Sequence, residues 1–144
     1  MVKTVSTQSM SRNISSWRLL LAGSVTGVAV MAANTLVRFA AAAALQPDPG
    51  FVPLGPATPA FFSMLGTLGA VLLLAVIGRY SRRPFWLFQR IMLIALPITW
   101  LPDILLLFVS AFPGANLLGV LVLMLMHAVA VAGLLTLLPS LLRE

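Results

Sequence analysis

The sequence predicts an all-α fold, an integral membrane four-helix bundle, on three observations. Of 144 residues, 60% are hydrophobic and only 8% are charged. A soluble domain of this length needs a charged shell, which three acids and nine bases do not supply. The apolar residues also fall into four long continuous runs, without the two-residue alternation of a barrel strand.

The runs cover about 19–44, 60–78, 91–109 and 117–138. At about 1.5 Å per residue, roughly 20 residues cross a hydrocarbon core of about 30 Å. The second and third runs just reach, and the first is long enough to tilt or project beyond the lipid. Residues 17–144 therefore read as a single four-span membrane domain. The Ser- and Thr-rich residues 1–16 read as a disordered tail. A cleaved signal peptide is disfavoured, because the first apolar region is too long and carries Asn34 and Arg38 ahead of its alanines.

Charge sets the expected orientation. Lys3, Arg12 and Arg18 precede the first run, Arg79, Arg82, Arg83 and Arg90 separate the second from the third, and Arg143 follows the fourth. The loops QPDPGFVPLGPATP and SAFPGAN contain no basic residue. The positive-inside rule then places both termini and the middle loop in the cytoplasm, in a multi-pass protein of the cytoplasmic (inner) membrane. Trp17, Tyr80 and Trp86 become an aromatic belt at that interface. The net charge of +6 flanks apolar runs, so the expected counter-charge is anionic lipid headgroups, not nucleic acid. In RYSRRPFWLFQR the arginines belong at phosphates, with Phe85, Trp86 and Phe88 at the acyl boundary.

Each helix carries residues that lipid does not favour. In the first, Gly23 and Gly27 form a GxxxG pair, and Asn34 and Arg38 lie four apart further on. At about 100° per residue all four fall within roughly 60°, a packing seam whose far end is polar. In the second, Ser63 and Thr67 share a face with Gly66, a third expected packing glycine. Their hydroxyls either meet a neighbouring helix or bond their own backbone. In the third, Asp103 stands among leucines and isoleucines, and Pro97 and Pro102 deprive the carbonyls of Leu93 and Ile98 of their donors. The prolines read as kinks that bend Asp103 inward. In the fourth, His127 sits about ten residues from the outer end.

Depth suggests how these residues pair. Arg38 and Asp103 each lie about six residues, or roughly 9 Å, below the outer ends of their runs. Because an isolated charge at the bilayer centre costs about 2.5–3.5 kcal/mol on insertion scales, an Arg38–Asp103 ion pair is expected. His127 and Asn34, each about ten residues deep, are expected to meet one layer beneath. The proline-rich loop, with five prolines in residues 45–59, is expected to be stiff and to fold over the bundle mouth.

One resemblance rests on RLLLAGSVTG followed by Asn34, on RYSRRPFWLF, and on LVLMLMHAVAVAGLLTLLP with its Met126–His127 pair and Pro139. These segments resemble a family of small four-helix bacterial membrane proteins, mainly actinobacterial, described as a domain of unknown function (number six-zero-six-nine). The resemblance implies four spans and no assigned activity, substrate or cofactor.

The chemistry that the residues exclude is broad. With no cysteine, disulfides, iron–sulfur clusters and thiolate zinc sites are impossible. With one histidine, bis-His haem is impossible, and one His with one Asp is a poor set of metal ligands. No paired carboxylates, nucleophile motif or phosphate-binding glycine loop points to catalysis. The expectation is a non-enzymatic accessory or interaction protein without a cofactor, dimerising through a glycine face or joining a membrane-protein partner. The alternative is a small transporter or binding protein for a proton-coupled or lipophilic solute, with Asn34, Arg38, Ser63, Thr67, Asp103 and His127 lining one site.

Overall fold

The computed structural model describes residues 15–46, 48, 50–109 and 113–143. The expected tail, residues 1–16, therefore lies almost wholly outside the described residues. Four helices follow one another: α1 Ser16–Leu45, α2 Thr58–Tyr80, α3 Pro84–Leu105 and α4 Leu117–Arg143, with a single 3-10 turn at Val52–Leu54 in the first loop. All four are long and apolar enough to cross a membrane. The chain is an all-α four-helix bundle, and its described residues contain no strand.

Helix boundaries follow local chemistry. Pro59 and Pro84 open α2 and α3 at first-turn positions where a missing N–H costs nothing. Gln46 closes α1 in the left-handed conformation, φ 44°. The third helix corrects the sequence reading at both ends, starting at Pro84 and ending at Leu105 instead of covering about 91–109. Phe85, Trp86 and Phe88 therefore lie in its first turns. Of these, Phe88 is fully buried in the core and not at a lipid boundary.

Packing is uneven. α1 lies against both α2 and α4, α3 leans mainly on α4, and α1 and α3 are not packing neighbours. Only 6% of the apolar stretch of α3 is buried, against 33–39% for the other three helices. The half of the bundle nearest the termini is filled by residues from all four helices, including Leu74, Phe88, Leu134 and Leu138. At the opposite end Phe51 and Leu54 descend from the first loop onto Ala41, Val122, Leu123 and Met126. The loop does fold over the mouth, and two apolar anchors hold it there. It also meets the second loop, where Gly114 at φ +77° lies against Asp48.

Close approach is real where GxxxG predicts it and absent at one expected position. A Cβ at Gly23 would sit 2.6 Å from Val71 Cγ2, and one at Gly27 would sit 3.3 Å from Thr67 Cγ2. These glycines let α1 and α2 touch. Gly66 is a correction: it is exposed, and a Cβ there meets nothing within 4 Å. It shares a helix with Ser63 and Thr67 but lies outside the α1–α2 seam. A seam that the glycine pattern missed joins α1 to α4, where a Cβ at Gly133 would lie 2.7 Å from Val30 Cγ2.

Candidate functional site

Most polar side chains inside the bundle form separate contacts between different elements. Asn34 on α1 donates from Nδ2 to Ser63 Oγ on α2 at 2.9 Å, and both residues are buried. Thr67 bonds its own helix, Oγ1 to Ser63 O at 2.8 Å, the local bond open to any helical threonine. Arg38 donates from Nε to Leu54 O at 3.1 Å and lies 5.1 Å from the Phe39 ring centroid. Asp103 on α3 meets His127 on α4, with Oδ2 and Nδ1 3.0 Å apart.

Two expected partnerships are therefore corrected. The Arg38–Asp103 ion pair is not formed, and the His127–Asn34 contact is replaced by Asp103–His127 and Asn34–Ser63. Adjacency is one cause, since α1 and α3 are not neighbours. The early end of α3 is the other. With the helix stopping at Leu105, Asp103 is two residues from its end and faces His127. His127 itself lies about 15 Å from the loop end of α4 and about 24 Å from the opposite end. Asp103 thus occupies a deeper layer than Arg38. The six residues divide among an α1–α2 contact, an α3–α4 contact and a latch on the loop, instead of lining one chamber.

The α3–α4 contact has the most chemistry. Asp103 is buried, with 10% of its side chain exposed, whereas His127 retains 40%. His127 Nδ1 is also 3.0 Å from Leu123 O, four residues back in its own helix. Two acceptors converge on Nδ1, so that nitrogen carries the proton and Oδ2 has no other donor among the described residues. Nε2 has no hydrogen-bond partner among the described residues and is not enclosed. One turn away, Trp100 donates from Nε1 to Met124 O at 3.0 Å. Sequence spacing does not reveal this second α3–α4 tie; the only signal is a tryptophan inside a membrane run, whose N–H needs an acceptor. Pro97 and Pro102 are both exposed, and α3 continues through them to Leu105.

Other features bound what the site can do. Among the described residues no three His, Asp or Glu side chains could hold a metal ion. A shallow groove between α1 and α2 is lined by Ser15, Leu19, Val71, Ala75, Gly78 and Arg79, near the termini, and by none of the six polar residues. Arg79, Arg82, Arg83 and Arg90 are exposed at that same end, where Trp17, Tyr80 and Trp86 are also exposed. Arg90 stacks on Trp86 at 5.0 Å, and Arg143 on Phe85 at 5.3 Å, tying α4 to α3. Among the described residues three buried side-chain oxygens accept no geometrically good hydrogen bond, Thr26 Oγ1, Asn34 Oδ1 and Asp103 Oδ2, the last of which has only its ion-pair contact with His127 Nδ1. No family model, curated protein or solved structure matches the chain.

Proposed function

We propose that the chain is a non-enzymatic accessory or interaction protein of the bacterial inner membrane, with both termini cytoplasmic. In this reading Arg79, Arg82, Arg83 and Arg90 meet anionic headgroups, and the outer loops cap the far side. The observation that carries it is α3. The apolar stretches of the other three helices are 33–39% buried, while that of α3 is 6% buried; it rests mainly on α4, with a smaller contact to α2, and leaves Ile94, Ile98 and Leu101 exposed along one stripe. Lipid covers such a stripe, but so does a partner helix, and α3 is the helix whose apolar surface the bundle itself covers least. The polar residues support the same reading, because most of them tie this chain to itself.

The cysteine-free sequence makes the test clean. Ile94→Cys and Leu101→Cys on α3 are compared with Leu72→Cys on α2 and Leu121→Cys on α4, in native membranes. Crosslinks to a second copy or another protein from the α3 positions alone support the proposal. Equal crosslinking from all four, or a monomer without companions in native mass spectrometry, overturns it. Binding of a lipophilic solute remains the second reading, favoured by the accessible imidazole edge of His127.

A further inference from the structure

We infer that Asp103 and His127 form a binding site, at the α3–α4 seam, for a bilayer-soluble molecule that carries a carbonyl or hydroxyl oxygen on an apolar body. The inference takes up the solute reading and does not depend on α3 having a protein partner. It starts from which nitrogen is free. Asp103 Oδ2 and Leu123 O both lie 3.0 Å from Nδ1, which fixes the proton there and turns Nε2 away from the carboxylate. A neutral ring then offers a lone pair at Nε2, and a protonated ring offers an N–H. The first accepts from a hydroxyl and the second donates to a carbonyl. In hydrocarbon no water is at hand to satisfy either.

Depth selects the ligand. His127 lies about 15 Å from the loop end of α4 and about 24 Å from the end that carries Arg143, so the pair sits within a core about 30 Å thick, in its loop-side half. Phospholipid ester oxygens sit at the edge of that core, so a headgroup does not reach Nε2 without leaving the interface. A molecule dissolved in the acyl region does, whether quinone, quinol or long-chain alcohol. The surroundings are apolar, with Leu123 and Met126 on α4 and Ile104 on α3 beside the pair in sequence. Trp100, bonded to Met124 O, holds α3 and α4 together one turn away. The carboxylate supports the imidazole from behind, as an acidic residue orients a ligating histidine elsewhere.

The chain has a single histidine, so protein labelled with ¹⁵N only at histidine reports this ring alone. In lipid nanodiscs, decylubiquinone, its quinol and 1-decanol are added in separate titrations, with decane as the apolar control. The expected result is a saturable displacement of the Nε2 resonance, larger than that of Nδ1, with at least one oxygen-bearing probe and none with decane. Which probe saturates distinguishes a quinone-type ligand from an alcohol. Asp103→Asn is expected to raise the half-saturating mole fraction about tenfold, because the support from a charged acceptor is lost. The same spectrum on unsubstituted protein keeps the test valid if that variant fails to fold. Displacement by decane to the same extent, or no response to any oxygen-bearing probe, overturns the inference. So does an Nε2 shift that follows protein-to-lipid ratio without any probe, which would mean that a second copy fills the site.

Discussion

Alanine at Gly23 and alanine at Gly66 are the same chemical change in two helices of one bundle, and the structure assigns them opposite outcomes. In a helix interior, Gly→Ala gains about 0.8–1 kcal/mol of intrinsic propensity. At Gly66 the new methyl meets nothing within 4 Å, so that gain stands alone. At Gly23 it lands 2.6 Å from Val71 Cγ2, where carbon atoms in contact prefer about 3.5–4.0 Å. Val71 is buried and β-branched, so its χ1 has little freedom to yield. Relief requires α1 and α2 to separate by about 1 Å, an overpacking cost of about 1–3 kcal/mol. Because propensity is common to both substitutions, their difference isolates the clash, at about 1–3 kcal/mol in favour of Gly66→Ala. Reversible unfolding in mixed detergent–SDS micelles measures that difference. Val71→Ala removes the obstructing methyl, so Gly23→Ala should cost less in that background than in the parent. Equal stabilities for Gly23→Ala and Gly66→Ala, or no rescue by Val71→Ala, would refute the α1–α2 seam.

Three other substitutions test separate contacts. Thr26 is fully buried with an unpartnered hydroxyl, so the near-isosteric Thr26→Val should stabilise the bundle by about 1 kcal/mol in the same unfolding assay. Arg38→Met leaves the Leu54 carbonyl without its donor, and hydrogen exchange or protease cleavage within residues 50–57 should accelerate while the helices keep their protection. Trp100→Phe keeps an aromatic ring, though a smaller one, and deletes the bond to Met124 O, so it should lower stability by at least about 0.6–1.7 kcal/mol. A matching loss when the same change is made in Asp103→Asn would show that the two α3–α4 ties act independently.

Hydropathy and charge alone determined that four helices form, which ends share the arginines, and which face of α1 turns inward. Gly23, Gly27 and Asn34 are all buried along the stripe that a 100° repeat draws. These are properties of one helix in one solvent, and each can be read from spacing. Partnership is a different quantity. Arg38 and Asp103 carry opposite charges at similar apparent depth, yet they sit on α1 and α3, which do not pack together. Their apparent depth was itself misplaced, because α3 begins at Pro84, ends at Leu105 and brings Asp103 level with His127. Gly66 shows the same division, since its identity promises a close approach that its azimuth on α2 does not deliver. A sequence pattern fixes the angle and height of a residue on its own helix. Which helix stands opposite is decided by how all four pack and where their loops let them end, and only that arrangement gave Asp103 its histidine.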